Sequence, residues 1–318
     1  MLKGEGDSML SDVASIIDIE NVTKRFGATN AVDGIQLSIP EGEIFGLLGP
    51  NAAGKSTLIR LLAGILECDT GTAQVMGYDL VTEREKIKAN IGYVAQSFAL
   101  YPELTVAENL DFYSAIYMPI SQDKQMELLK DYGLEGFSGH RAGLLSGGYK
   151  RRLSIVCALA HDPELIFLDE PTAGIDPVTR KELWEKFYQL TAQGKTLFVT
   201  THYMEEAERC NRLAFLHHGK VVTQGKPSTI ISSFTGRKIY TVMTGHNADL
   251  TAVLLSMPEV QVLNQFGDTL RIIADTSLEE SMLESLIREY CGKQIKVNQV
   301  QPDIEDVFIS LTHEGDDG

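Results

Sequence analysis

The chain has 318 residues, which suits about two domains at roughly 150 residues each. Hydrophobic residues make up 43%, so a sizeable core can form, and the formal net charge is −16 at pH 7. An acidic surface repels nucleic-acid backbones and anionic lipid headgroups, which excludes nucleic acid as the main partner and argues against direct membrane attachment. No stretch reaches the ~18 apolar residues of a membrane helix, and we expect neither a signal peptide nor lipid insertion.

The first two thirds of the chain predict an α/β core. A glycine-rich loop follows the apolar run 43–48, and a helix is predicted directly after the loop at 56–63. Residues from about 97 to 160 are mostly helical, with helices predicted at 106–117 and 122–132, so a helical block is inserted into the core. The predicted strands cover residues 16–22, 35–39, 43–48, 91–94, 165–168 and 196–200.

After residue 233 the order of predicted elements becomes β-α-β-β-α-β, which indicates a small α+β domain of ferredoxin-like type. Ser277 to Glu280 resembles a capping box that begins the second helix. We expect one face of that helix to carry its apolar residues, Leu278, Met282, Leu283, Leu286 and Ile287. The predicted organisation is a flexible segment at 1–15, the α/β core with its helical insert at 16–233, an accessory domain at 234–313 and a polar tail at 314–318.

Cysteine and histidine show no metal-site pattern. Cys68, Cys157, Cys210 and Cys291 are too far apart to form a CxxC pair, so neither a zinc site nor a redox motif is expected. Free thiols are typical of a reducing cytoplasm. The adjacent pair at 217–218 belongs to no motif, and we expect both histidines on the surface.

The loop after the third predicted strand fits the pattern G-x-x-x-x-G-K-[ST]. Backbone N–H groups of such a loop bind phosphate oxygens where side chains stay clear, and the following helix adds the positive end of its dipole. Lys55 places a cation at the β- and γ-phosphates, Ser56 can ligate Mg²⁺ and Thr57 can reach the α-phosphate. The pattern therefore predicts binding of a nucleoside triphosphate with Mg²⁺ by Gly49, Pro50, Asn51, Ala52, Ala53, Gly54, Lys55, Ser56 and Thr57.

Two carboxylates, Asp169 and Glu170, end the apolar strand predicted at 165–168. Carboxyl ends of parallel strands face the ligand crevice of an α/β sheet. Asp169 is suited to hold the metal through water, and Glu170 to polarise the attacking water as a general base. Taken alone, a strand that ends in surface acids is the alternative interpretation.

A short motif precedes the basic run at 150–152 and consists of Leu145, Ser146, Gly147, Gly148 and Tyr149. By itself it is an ordinary helix start with Ser146 as the N-cap. The motifs occur in the order phosphate loop, Gln96, residues 145–149, Asp169-Glu170 and His202. This order resembles that of the ATPase subunits of ABC transporters. The resemblance covers about residues 16–226 and implies a phosphate-loop NTPase core that binds ATP and Mg²⁺.

This resemblance implies a role for each matching residue. Phe26 would stack on adenine, with Val32 also at the nucleotide. Gln96 would contact Mg²⁺ with Ser56 and Asp169, and would act with Glu170 and His202 in catalysis. Residues 145–149 would bind the γ-phosphate of ATP held by a second subunit, and Asp176 would signal across that dimer. The open alternatives are a core position for Phe26, a solvated strand end for Gln96, a helix cap for Asp176 and a structural role for His202.

Two positions depart from the family pattern. Ala52 stands where glycine is usual, and we expect the loop to close if φ at Ala52 is negative. Tyr149 replaces the common glutamine at the end of the signature. Glu170 and His202 are both present, so nothing in the sequence indicates an inactive site.

The resemblance also implies partners. Two ATPase subunits would form a homodimer around two ATP molecules and would work through separate transmembrane permease subunits at the inner face of the cell membrane. Residues 97–104, rich in apolar side chains, would receive a helix of the permease, unless they only pack the helical insert. The segments 301–309 and 174–177 resemble the drug-resistance and antibiotic-export branch, which favours export. The alternative is a soluble ABC ATPase of the translation or DNA-repair type.

Overall fold

The computed structural model describes residues 14–292 and 295–316, with side chains described up to Thr312. The chain forms two compact units, divided after Val222. Among the described residues, none of the helices combines the length and apolar character needed to span a bilayer. The expectations for residues 1–13 and 317–318 lie outside the described residues.

The first unit is an α/β structure. Its strands are β1 Ser15–Phe26, β2 Thr29–Pro40, β3 Ile44–Leu48, β4 Thr70–Val75, β5 Tyr78–Asp79, β6 Ile91–Val94, β7 Leu165–Asp169, β8 Thr196–Thr201, β9 Arg212–His217 and β10 Lys220–Gly225, the last of which crosses the division. Its helices are α1 Lys55–Leu62, α2 Arg84–Asn90, α3 Val106–Tyr117, α4 Gln122–Asp131, α5 Gly147–Leu159, α6 Pro177–Ala192 and α7 Met204–Ala207, with 3₁₀ turns at Glu135–Phe137 and Ala142–Leu144.

A six-stranded sheet with the order β10-β9-β3-β8-β7-β6 forms the centre of this unit. From β9 to β6 the neighbouring strands are parallel. Every residue of β3, β7 and β8 is buried, as expected for strands covered on both faces. Since parallel strands end at the same edge, Leu48, Asp169 and Thr201 lie along one rim of the sheet. The phosphate loop, Glu170 and His202 come directly after these strand ends in the sequence.

A second sheet with the order β2-β1-β4-β5 completes the first unit. Its β1 and β2 extend well beyond the predicted strands at 16–22 and 35–39. Strand β4 was not predicted, because four of its six residues are exposed and its sequence lacks a sustained alternation of apolar and polar residues. The predicted helical insert is present between β6 and β7, where α3, α4 and α5 share a core with Trp184 of α6.

The second unit contains α8 Pro227–Ser233, β11 Arg237–Met243, α9 Ala248–Leu255, β12 Val260–Phe266, β13 Thr269–Asp275, α10 Glu280–Cys291, β14 Val297–Val300 and α11 Ile304–Asp316. Its sheet order is β12-β13-β11-β14, and each pair is antiparallel. This order confirms the ferredoxin-like prediction.

Several details of the second unit differ from the predictions. The predicted capping box is wrong, because the N-cap of α10 is Glu279, which makes no side-chain cap bond, and Ser277 lies in the preceding turn, where its N–H donates to Asp275 Oδ1 at 2.9 Å. Met282 is 53% exposed and does not share the buried face of α10. Helix α11 was not predicted and extends to Asp316, into the expected tail.

The four cysteines lie within the described residues and are free thiols, as expected. His217 contradicts the surface prediction, because it is only 8% exposed near the end of β9. His217 is the last residue of β9 and follows four buried apolar residues, so it shares their burial, whereas His218 is exposed as predicted.

Candidate nucleotide-binding site

The phosphate loop joins the end of β3 to the start of α1, and two of its glycines are required by close approach. A Cβ at Gly54 would lie 2.1 Å from the Ala31 carbonyl oxygen, and Gly54 has φ +109°. A Cβ at Gly49 would lie 2.3 Å from the Leu216 carbonyl oxygen. Since neither backbone oxygen can withdraw cheaply, only glycine fits at these two positions.

The expectation of a negative φ at Ala52 is wrong. Its φ is +65°, in the left-handed region, rather than negative. A residue with a Cβ is disfavoured there by about 1–2 kcal/mol relative to the right-handed region. The loop therefore keeps its shape with a strained residue at a position where the family usually has glycine.

Lys55 is 4% exposed and is held by the loop itself. Its Nζ donates to the carbonyl oxygens of Gly49 at 2.8 Å and Pro50 at 3.0 Å, and lies 3.7 Å from Glu170 Oε1. Burial lowers the pKa of Lys55, and the nearby carboxylates oppose that effect. The ammonium group is thus positioned at the loop before any phosphate arrives.

Asp169 at the end of β7 is fully buried and has one oxygen satisfied and one not. Its Oδ1 accepts from Ser56 Oγ at 3.1 Å and from Thr200 Oγ1 at 2.7 Å. Its Oδ2 is buried and has no hydrogen-bond partner among the described residues. A buried carboxylate oxygen beside a serine hydroxyl fits a hard cation, and Mg²⁺ commonly takes one or two protein ligands together with phosphate oxygens and water.

Glu170 follows Asp169 and points its carboxylate at two of the predicted catalytic residues. Gln96 Nε2 donates to Glu170 Oε2 at 2.9 Å, and His202 Nδ1 lies 3.5 Å from Oε1. Glu170 is 6% exposed and has φ +48°, so its backbone is also in the left-handed region. The three residues that the sequence analysis named as catalytic therefore lie together.

These side chains border a pocket with a volume of about 290 Å³. It is lined by Ala31, Asn51, Ala52, Gly54, Lys55, Ser56, Thr57, Gln96 and Glu170. Phe26, at the end of β1, is 53% exposed, and Lys24 Nζ lies 5.7 Å from its ring centroid, so the ring is accessible to stack on a ligand. Val32 is completely buried in the core, and its side chain offers no surface to a nucleotide.

The signature residues divide between core and surface. Leu145 is buried, whereas Ser146 and Gly147 are exposed at the start of α5. Ser146 caps this helix by accepting from the Tyr149 N–H at 3.5 Å, and Gly148 faces Thr179, where a Cβ would lie 3.2 Å from Cγ2. Within one chain the signature is thus a capped helix start, the alternative that the motif alone left open.

Asp176 is exposed and caps α6 by accepting from the N–H groups of Val178 and Thr179, each at 3.0 Å. The N–H of Thr179 is the main reason that the pKa of Asp176 is lowered. The helix-cap alternative therefore holds for Asp176, and a role in a dimer would be additional.

Two residues of the site were not singled out by the sequence analysis. Thr200 is fully buried and, besides its bond to Asp169, accepts from the Glu170 N–H at 2.9 Å. Arg151 is 8% exposed and donates to main-chain oxygens around Asp169 and Glu170. Burial lowers the pKa of Arg151 to about 10, so it remains protonated at neutral pH. Arg151 stands in a basic run that reads as solvated, and no local pattern marks it as buried.

Comparisons with known proteins agree with this geometry. The family model described as "ABC transporter" matches residues 32–173. The chain is 38% identical over 301 residues to the Nod factor export ATP-binding protein I of Rhizobium sp. (strain N33), covering 93% of this chain and 96% of that protein. It is 36% identical over 305 residues to the linearmycin resistance ATP-binding protein LnrL of Bacillus subtilis (strain 168), covering 93% and 98%.

The match to the probable multidrug ABC transporter ATP-binding protein YbhF of Escherichia coli (strain K12) is 40% identical over 219 residues, covering 68% of this chain and 38% of YbhF. The chain thus spans less than half the length of that relative. A solved post-hydrolysis dimer of the ATP-binding cassette MJ0796 with ADP and Pi is 30% identical with a TM-score of 0.62, covering 66% of this chain and 98% of the cassette. Sequence, fold and phosphate-loop geometry agree, and the chain belongs to the ABC transporter family as an ATP-binding subunit.

Proposed function

We propose that the chain hydrolyses ATP with Mg²⁺ and thereby powers export through separate membrane subunits. The observation that carries the proposal is that Lys55 and Glu170 meet 3.7 Å apart at a pocket that ends in the phosphate loop, where Asp169 accepts a hydrogen bond from Ser56. This set provides a phosphate-binding cation, a metal-binding carboxylate and a base, which are the parts that phosphoryl transfer to water requires.

Each group has a distinct task in hydrolysis. The loop N–H groups and Lys55 would bind the β- and γ-phosphates, and Phe26 would stack on the adenine. Mg²⁺, held by Ser56 and Asp169 with Gln96 beside it, would neutralise charge on the transferred phosphoryl group. Glu170 would polarise the attacking water, while the amide of Gln96 fixes one of its oxygens and leaves the other towards His202.

The nucleotide would be enclosed by two copies of the chain. Residues 145–149 do not line the pocket formed by their own phosphate loop. The exposed Ser146 and Gly147 are therefore available to the γ-phosphate of ATP bound by another subunit, with Asp176 at the same interface. The dimeric post-hydrolysis cassette among the solved structures supports this arrangement. ATP would favour the closed dimer, and hydrolysis would reopen it, as a ligand-driven population shift.

A permease would dock on the aromatic surface formed by Tyr101, Phe112 and Tyr113. Tyr101 is 48% exposed and Phe112 43%, and their ring centroids lie 4.9 Å apart. The buried Asn109 fixes the loop beneath them, because it accepts from the Tyr101 N–H and donates to the Tyr101 carbonyl, each at 2.9 Å. A rigid surface with exposed aromatic rings suits a helix of a partner protein. This docking would hold the chain at the inner face of the cell membrane.

Export rather than import is supported by the names of the relatives, which are a Nod factor export protein, a linearmycin resistance protein and a probable multidrug transporter protein. The test is affinity purification of the tagged chain in mild detergent. We expect a polytopic membrane protein to co-purify and to raise the ATPase rate. Co-purification with ribosomes, without any membrane protein, would instead support a translation-type ABC ATPase.

A further inference from the structure

Arg151 lies in the second turn of α5, and its guanidinium group is directed into the protein. Nε donates to the Pro171 carbonyl at 2.6 Å, Nη1 to the Ala95 carbonyl at 2.6 Å and Nη2 to the Asp169 carbonyl at 2.8 Å. Nη2 also donates to the Glu170 carbonyl. The planar fork of an arginine thus bridges two separate stretches of main chain, a geometry that lysine cannot reproduce.

Those two stretches carry the pair that would activate water. Ala95 directly precedes Gln96, and Gln96 donates to the Glu170 carboxylate at 2.9 Å. The backbone of Glu170, with φ +48°, is in a conformation that needs support from its surroundings. Its N–H is held by Thr200, and its carbonyl is held by Arg151. A shift of Arg151 would therefore move both Gln96 and Glu170.

The helix that carries Arg151 begins at the signature. Ser146 caps α5, and Arg151 lies five residues later, about 7.5 Å along a helix with a rise of 1.5 Å per residue. Over so short a distance an α-helix transmits displacement as a rigid element. A movement of the exposed Ser146 against a second subunit would therefore be passed to Arg151.

We propose that Arg151 is a positioning residue that couples engagement of the signature to the geometry of Gln96 and Glu170. Contact between the signature and the nucleotide of the second copy would then adjust the position of the water-activating pair, which is already hydrogen-bonded in the single chain. This inference rests on the proposed function, because it requires a nucleotide shared between two copies. Arg151, which does not line the pocket, would then link the two ATP sites.

Arg152 supplies a matched control on the same helix. It donates to the Tyr132 carbonyl at 3.2 Å and pairs with Glu182 of α6, away from the two carboxylates at the pocket. Arg151→Lys and Arg152→Lys therefore make the same chemical change at adjacent positions. Only the first removes the bridge between the two stretches of main chain.

The experiment measures MgATP binding and steady-state hydrolysis in the full chain. We expect R151K to bind MgATP within about threefold of wild type but to lose about 100-fold in kcat, the scale of a misplaced catalytic group. R152K should change both quantities by less than about threefold. Adding Gln96→Ala to R151K should lower kcat less than it does in wild type, because both changes disturb one unit. A wild-type kcat in R151K, or equal losses in R151K and R152K, would overturn the proposal.

A second measurement covers the case in which R151K does not fold. Hydrogen exchange of the amides of Asp169, Glu170, Thr172 and Ala173 is compared in wild type and in Ser146→Arg, a change at an exposed position that should block closure. S146R should still bind MgATP, and MgATP should protect these amides more strongly in wild type than in S146R. Equal protection in both would refute the coupling. A wild-type chain that neither hydrolyses ATP nor self-associates would refute the proposed function instead.

Discussion

Replacing Ala52 with glycine should stabilise the first unit, although most glycine substitutions destabilise a fold. Ala52 has φ +65°, which costs an L-residue about 1–2 kcal/mol. Glycine removes that cost but is harder to order by about 0.5–1 kcal/mol. The net expectation is a gain of about 0.5–1 kcal/mol in the free energy of unfolding.

Ala53 is the matched control, because it is the next residue, is 4% exposed and has no positive φ. Ala53→Gly relieves no backbone strain. It lowers the free energy of unfolding by about 0.8 kcal/mol through the loss of a buried methyl group, and by a further 0.5–1 kcal/mol, roughly, through the larger conformational entropy that glycine loses on folding. We expect it to lower stability by about 1.5 kcal/mol. The two variants should therefore differ by about 2 kcal/mol and have opposite signs.

The assay is urea unfolding followed by tryptophan fluorescence. The chain has one tryptophan, Trp184, which is fully buried in the first unit and reports its unfolding. The midpoint for A52G should rise, and that for A53G should fall, with unchanged slopes. If A52G lowers the midpoint as much as A53G does, the left-handed conformation of Ala52 is not a source of strain, and the reasoning fails.

Three further predictions concern the site and its surroundings. Lys55→Ala should weaken ATP binding about 10- to 100-fold, since a charge-assisted contact is worth about 1.5–3 kcal/mol; isothermal titration with near-normal affinity would contradict the phosphate-loop assignment. Thr200→Val should cost about 2–4 kcal/mol in urea unfolding, because it removes one of the two donors to the buried Asp169 and leaves the buried Glu170 N–H without its partner, whereas Thr196→Val on the same strand loses one neutral hydrogen bond, about 1 kcal/mol; equal costs would contradict this account. Tyr101→Asp should leave ATP affinity unchanged and abolish transport in a reconstituted complex, and intact transport would remove the docking surface.

The parts of the site that could be predicted are contiguous in sequence or lie at strand ends. The phosphate loop needs only its own residues, because glycine, lysine and serine there each have a local task. Asp169 and Glu170 end an apolar run, and the topology of a parallel sheet brings that end to the loop. The ferredoxin-like order could also be predicted, because alternating elements in one chain segment leave few arrangements.

The missed features depend on tertiary contacts that no local pattern encodes. Arg151 and Arg152 are adjacent and chemically identical, yet the first is buried and the second is half-buried, since the packing of α5 decides which one points inward. The positive φ at Ala52 follows from the shape of a loop that closes around two glycines. Val32 matched a family position, but its strand turns the side chain into the core.

The central claim is that ATP is held between two copies of this chain, and Glu170→Gln tests it most directly. The amide keeps the size of the side chain but cannot act as a base, so ATP should stay bound and the closed state should accumulate. Size-exclusion chromatography with light scattering should give twice the single-chain mass with MgATP, and the single-chain mass with ADP. A variant that binds MgATP with high affinity yet stays a single chain at every concentration would contradict the account.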